Sequence, residues 1–122
     1  MGGSPTGAPT GPVIVAEQLP ASNPIRKVSM DFRDAYQKVN GAPPTDAFSA
    51  YSFDAWLIFA DAAARALATK AEPGTAQFRE ALHDAINSTK ELVGTHGVYN
   101  FKPDSRYGSD ERSRVIVKLE KG

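Results

Sequence analysis

Three stretches of the chain space their apolar residues as helices do, and three shorter ones carry continuous β-branched or aromatic runs. "SNPIRKVSMDFRDAYQKVNG" places Ile25, Val28, Phe32, Ala35, Tyr36 and Val39 on one stripe, the mark of an amphipathic helix. Asn23 suits the N-cap, Pro24 the first helical position and Asn40-Gly41 the left-handed stop. "AFSAYSFDAWLIFADAAARALATK" predicts a second helix, starting between Asp46 and Ser52. It is apolar around most of its circumference, which marks a central, most buried helix. "TAQFREALHDAINSTKEL" predicts a third, capped by Thr75, with Phe78, Ala81, Leu82, Ala85 and Ile86 at helical spacing.

"PVIVAEQL" reads as a strand, and its continuous run Val13–Val15 predicts burial on both faces. "GVYNF" reads as a short strand, "KPDSRYGSDE" as a long turn and "SRVIVKLEKG" as a final strand, the last two strands forming a hairpin. The predicted fold class is α/β in the order β-α-α-α-β-β. Three strands with so few neighbours suggest a partial lobe, completed by oligomerisation or strand exchange. Residues 1–11, rich in Gly, Pro, Ser and Thr, read as a loose leader. Residues 12–122 read as one unit.

Composition narrows the chemistry. Hydrophobic residues make up 41% of 122, enough for one modest core. Fourteen basic residues balance fourteen acidic ones, so charge gives no argument for nucleic acid or an anionic membrane. There is no cysteine, which excludes disulfides, thiolate catalysis and cysteine-ligated zinc. No apolar run reaches the ~18–20 residues of a bilayer span. The first residues lack the basic and apolar regions of a signal peptide.

"GVYNFKPDSRYGSDER" gathers acids, bases and aromatics, and so poses a question of metal binding. Asp104, Asp110 and Glu111 lack the spacing of a calcium loop, and Arg106 falls among them. Pro103 presets a turn, Asp104 can bond onward to backbone, and Gly108 can take positive φ. The stretch is therefore read as turn chemistry. His83 and His96 have no partner at metal-binding spacing and read as surface residues. No pairing of nucleophile and base is present, so the chain reads as a non-enzyme with no metal and no cofactor. Phe48, Tyr51 and Ser52 cluster where the second helix begins. Free N–H groups beside aromatic rings can form one wall of a ligand pocket; the pattern alone favours the other reading, that the same aromatics pack as core, as aromatics at such joints usually do.

The sequence resembles the C-terminal part of the type I periplasmic solute-binding proteins, within the branched-chain amino-acid (Leu/Ile/Val) group of ABC-transporter receptors. Three features carry the resemblance: the Y-x-x-x-x-G-x-P-P run from Tyr36 to Pro44; Ala50-Tyr51-Ser52-Phe53-Asp54-Ala55, with Phe53 in place of the usual tyrosine; and Gly97, Tyr99, Phe101, Pro103, Asp104, Gly108 and Asp110 in order. The resemblance covers nearly everything after residue 11 but only about the last third of such a protein. It implies that Val13–Glu17 is a crossover strand and that the final strand returns across a hinge. It implies Phe48 as a ligand-binding wall residue with Tyr51 beside it, a ligand that is an amino acid or an aromatic or aliphatic carboxylate, an ABC permease as partner, and a periplasmic location. Self-association of this part through its unpaired strands is expected. A ligand-sensing domain of a signalling receptor and a ligand-free α/β interaction module remain as alternatives.

Overall fold

The computed structural model describes residues 12–105 and 107–118. The described elements run from a 3₁₀ segment Pro12–Gln18 through α1 (Pro24–Asn40), α2 (Phe48–Ala68) and α3 (Ala76–Asn87) to β1 (Leu92–Val93), β2 (Val98–Tyr99) and a 3₁₀ turn Glu111–Ser113.

Helix α1 begins and ends where its sequence dictates. The Asn23 carboxamide oxygen accepts from the Ile25 N–H at 3.0 Å. Pro24 occupies the first turn, and Gly41 closes the helix at φ 78°, its N–H donating to the Gln37 carbonyl. Ile25, Ser29 and Phe32 are its buried residues, at the i, i+4, i+7 spacing of one face. Helix α3 is capped as its sequence predicts: the Thr75 hydroxyl accepts from the Phe78 N–H at 3.2 Å. It stops at Asn87, five residues short of the predicted end. Ser88 and Thr89 close the last turn on the Asp84, Ala85 and Ile86 carbonyls, and Glu91 then turns left-handed at φ 49°, which no helix continues.

The core lies between the 3₁₀ segment, α1 and the start of α2. Val13, Phe32, Ala47 and Ala50 form it, with Ile14, Tyr36 and Phe53 packed against it. The Phe32 and Phe53 rings stand 5.1 Å apart. Ile25 and Val13 are almost wholly buried, each worth about 1.5–3 kcal/mol of transfer free energy. Helices α2 and α3 meet through small residues, with Ala62, Ala66 and Ala85 buried. Arg65 ties the pair at one end: it donates to Asp61 on its own helix, to the Ser88 hydroxyl at 3.0 Å and to the Thr89 hydroxyl at 3.3 Å.

Three expectations are corrected. Pro12–Gln18 is 3₁₀ rather than strand, with a kink at Val15 (φ −109°, ψ 22°). A strand needs a partner for its N–H and C=O groups, and no described strand pairs with it. Three-residue turns satisfy those groups locally and place Val13 and Ala16 together, both buried. The hairpin joins β2 to β1 rather than to the final segment: Leu92 faces Tyr99 and Val93 faces Val98, antiparallel. Gly94–Gly97 makes its turn, closed by the Gly94 N–H on the Gly97 carbonyl at 2.8 Å. Residues 114–118 are not strand, and the end of the predicted final strand, 119–122, lies outside the described residues. The ground for strand exchange, two unpaired apolar strands, is thus gone among the described residues. Helix α2 is the most buried of the three, as read, with Ala50, Asp54, Ala62 and Ala66 buried, yet Phe48, Tyr51, Trp56, Phe59 and Leu67 are exposed along it.

The Pro103-Asp104 turn forms as read, with Lys102 and Ser105 exchanging both backbone hydrogen bonds. Gly108 takes φ 75°, and a Cβ there would stand 2.4 Å from the Phe101 ring. No helix among the described residues is long and apolar enough to cross a membrane.

Candidate functional site

The start of α2 and the β1–β2 turn meet around one buried carboxylate. Asp54 lies on the inward side of α2 and is 2% exposed. Its Oδ1 accepts from the Thr95 N–H at 2.7 Å and the Thr95 hydroxyl at 2.8 Å. Its Oδ2 accepts from the His96 N–H at 3.0 Å and the Tyr99 hydroxyl at 2.6 Å. Four donors replace the water that a carboxylate loses on burial, which is what makes a buried charge tolerable. Burial, reinforced by the hydrogen bond to Asp54, pushes the Tyr99 hydroxyl far above its ordinary range, so it stays a proton donor. Gly94 leaves room for this approach: a Cβ there would lie 2.6 Å from the Tyr99 ring and 2.7 Å from the Asp54 carboxylate. The Ser29 hydroxyl, on α1, donates to the Thr95 carbonyl at 3.1 Å. The turn is therefore pinned from two helices.

This pinning sets His96. Its Nε2 lies 3.1 Å from the Ala47 carbonyl, an acceptor only, so Nε2 carries the proton. The ring is buried, and burial lowers its pKa; the Ala47 hydrogen bond and the Asp54 charge oppose that shift. Tyr51 stacks on the imidazole with ring centroids 3.8 Å apart and planes 5° from parallel. Phe48 tilts against Tyr51 at 6.4 Å. The outcome is a graded aromatic series: His96 inside at 5% exposure, Tyr51 at 44%, Phe48 at 61%.

The two residues singled out from sequence, Phe48 and Tyr51, thus stand side by side and open to solvent. His96 was read as a surface residue, and this is corrected. Its imidazole is the inner layer of the aromatic series, because the hairpin turn carries it under α2. Thr95, Tyr99 and the anchoring role of Asp54 were not read from sequence. One signal was available for Asp54: a carboxylate between Phe53 and Ala55 in a helix otherwise poor in charge needs a partner. His83 is exposed, as read. Among the described residues no group of three or more His, Asp or Glu side chains could hold a metal ion.

No protein-family model matches the chain, and no curated protein does. Solved structures do. The Rp1789 protein of Rhodopseudomonas palustris (strain CGA009) superposes with a TM-score of 0.81 at 35% identity, over 91% of this chain and 31% of its own. An extracellular ligand-binding receptor from Rhodopseudomonas palustris HaA2 gives 0.80 at 33%, over 91% and 31%. A further extracellular ligand-binding receptor from the same strain gives 0.72 at 38%, over 84% and 28%. The chain is similar to part of extracellular ligand-binding receptors. It spans about a third of their length, as a partial lobe would.

Proposed function

We propose that residues 12–122 are the C-terminal part of the solute-binding component of an ABC importer, working in the periplasm and presenting its ligand to a membrane permease. The ligand is an amino acid or a similar small carboxylate with an aliphatic or aromatic body. Hinge closure of the whole receptor holds it, because the ligand stabilises the closed state by binding it better than the open one. Phe48 and Tyr51 supply one wall of the pocket. The observation that carries this reading is the exposed Phe48–Tyr51 pair, stacked on a pinned imidazole, in a chain 33% identical to part of a ligand-binding receptor. Exposed aromatics on a rigid base lose little entropy when a ligand covers them.

The test joins this chain covalently in place of the matching third of the HaA2 receptor. Thermal unfolding is followed with a panel of aliphatic and aromatic amino acids and aromatic acids. A ligand that binds only the native state raises stability by RT ln(1 + [L]/Kd). We expect one ligand class to raise Tm, and Phe48→Ala to weaken that ligand about tenfold or more, the ~1.4 kcal/mol or more that an aromatic contact supplies. Unchanged affinity in both Phe48→Ala and Tyr51→Ala would remove the wall from the site. The isolated chain should unfold cooperatively with no ligand moving its Tm; a shift there would mean that the site is complete without the rest of a receptor.

A further inference from the structure

The turn that leaves α1 carries a reactive pair of residues outside the aromatic wall. Asn40 is the last residue of α1, and Gly41 is its left-handed cap. A glycine after an asparagine lets its main-chain nitrogen reach the asparagine's own carboxamide, because no Cβ stands in the way. A Cβ built on Gly41 would meet nothing within 4 Å, so no neighbouring group screens the approach. The chain's other asparagines stand at 23, 87 and 100, and each is blocked or held. Asn23 precedes Pro24, which has no N–H to lose. After Asn87, the Ser88 N–H donates to the Asp84 and Ala85 carbonyls. The Asn100 carboxamide is held at both ends by Glu91, and the Phe101 N–H donates to the Thr89 carbonyl at 2.9 Å.

Two hydrogen bonds keep Asn40 and Gly41 apart while α1 is closed. The Gly41 N–H donates to the Gln37 carbonyl at 2.8 Å, and the Asn40 Nδ2 donates to the Tyr36 carbonyl at 2.9 Å. The first holds the proton on the nitrogen. The second turns the carboxamide back along the helix. Both belong to the last turn, on which little packs. Gln37, Lys38, Val39 and Asn40 are all exposed, and Phe32, the last buried residue of α1, lies about two turns earlier. A helix end without tertiary packing opens far more readily than the whole fold.

We infer that Asn40-Gly41 is a site of spontaneous deamidation, gated by opening of the last turn of α1. Opening releases both hydrogen bonds together. The Gly41 nitrogen then gives its proton to hydroxide and attacks the Asn40 Cγ. The N–Cγ bond forms, the Cγ–Nδ2 bond breaks, and ammonia leaves after taking a proton from water. Water opens the resulting cyclic imide. Its attack at Cγ gives aspartate; its attack at the main-chain carbon gives isoaspartate, with the chain now running through Cγ. One water is consumed, one ammonia is released, and nothing is oxidised or reduced. Neither product closes the turn as before. A carboxylate has no N–H to donate to the Tyr36 carbonyl, and its charge falls at the negative end of the helix dipole. Isoaspartate also lengthens the main chain by a methylene, which takes the Gly41 N–H out of register with Gln37. Opening thus permits the reaction, and the reaction keeps the turn open. Tyr36 packs against the core that holds Ala47 and Ala50, so the loosening reaches the start of α2. The inference is independent of the receptor reading above.

The test incubates the whole chain at mildly alkaline pH, folded and in guanidinium chloride. Peptide mapping by mass spectrometry follows each asparagine, with electron-transfer fragmentation to separate aspartate from isoaspartate. Asn40 should react before Asn87 and Asn100, and folding should slow it only about three- to tenfold. Asn40 still intact after Asn87 has reacted would overturn the site. Equal rates in the folded and unfolded chain would overturn the gate. So would protection of about a thousandfold or more, which would mean that only global unfolding frees the pair. Asn40→Gln, whose longer side chain closes a less favourable ring, should abolish the early product; the same product at the same rate would place the reaction elsewhere. Hydrogen exchange reads the consequence. The amides of residues 38–41 should exchange faster in the aged chain, with Asn40→Asp reproducing part of the change and the amides of residues 29–32 unaffected. Unchanged exchange at 38–41 in the aged chain would overturn the claim that the reaction holds the turn open.

Discussion

Helices α1 and α2 are similar in length and both carry strong apolar faces, yet the chain treats them differently. On α1 the apolar stripe faces the 3₁₀ segment and the hairpin, and Ile25, Ser29 and Phe32 are buried. Val39, in its last turn, is its one large exposed hydrophobic. On α2 the buried residues are Ala50, Asp54, Ala62 and Ala66 and Phe53 packs on the core, while Phe48, Tyr51, Trp56, Phe59 and Leu67 look outward. Small residues, one carboxylate and the Phe53 ring face the chain's own interior; the other four rings face away from it. The contrast teaches that bulk on a helix does not tell which side this chain covers. The side with close backbone approach and satisfied polar groups is the one that is finished here.

The most severe way to test that contrast is a matched pair of truncations. Phe32 is 7% exposed and packs on Phe53 and Tyr36. Phe32→Ala should cost about 3–5 kcal/mol, the transfer term plus the cavity it leaves. Trp56→Ala removes a larger side chain at a site 59% exposed and should change stability by no more than about 0.5 kcal/mol. Urea unfolding at constant m-value measures both. Equal losses would show that the outward face of α2 is covered in the isolated chain, and the contrast would fail.

How much of this could be read from the sequence depended on whether the signal was local. Asn23, Pro24 and Gly41 bound α1, Thr75 starts α3, and Pro103, Asp104 and Gly108 shape a turn. Each acts through its own backbone, and each was legible. The strands were not legible. Val13-Ile14-Val15 has strand propensity, but propensity cannot supply a hydrogen-bonding partner, and three-residue turns satisfied the backbone instead. The β1–β2 pairing was missed because its sequence, Leu92 to Tyr99, is half turn, and its stability comes from Asp54 some forty residues earlier. In the candidate site, Phe48 and Tyr51 stood out as neighbours on one helix start. His96 did not, because only the fold carries it beneath them. The apolar circumference of α2 was legible, but its exposure was not: a periodic pattern states that a face wants cover, and not whether this chain provides it.

A narrower test sharpens the inward half of the comparison. Gly94 stands against both Asp54 and Tyr99, and its own φ is not left-handed, so any penalty there is steric. Gly94→Ala would place a Cβ 2.6–2.8 Å from the Tyr99 ring and the Asp54 carboxylate. Those atoms are held by the 2.6 Å hydrogen bond between them and cannot swing clear without giving it up. We expect a loss of about 1–3 kcal/mol, with faster hydrogen exchange at the Thr95 and His96 amides before the helices exchange. Wild-type exchange at those two amides would mean that the hairpin turn is not clamped, and the inward side of α2 would then be no better fixed than the outward side.

The gentlest test uses protons, because His96 is the titratable side chain that joins the hairpin to the start of α2. Burial holds its pKa below the ordinary 6.5. Below that ordinary value the unfolded chain takes up a proton that the folded chain resists, so the unfolded state binds more protons in the window between the two values. Stability is then full above about pH 6.5, falls as pH drops through the folded value, and levels off below it. Protonation would place a cation under the Tyr51 ring in a buried site, and Asp54 offsets part of its cost. His96→Asn keeps an N–H near the Ala47 carbonyl and cannot titrate. Subtracting its stability-versus-pH curve from that of the wild type removes the carboxylates and leaves the histidine. A difference curve that declines as pH falls below 6.5 ties the aromatic wall to the buried side of α2. A flat difference curve would place His96 in water, and Phe48 and Tyr51 would then stand on no fixed base.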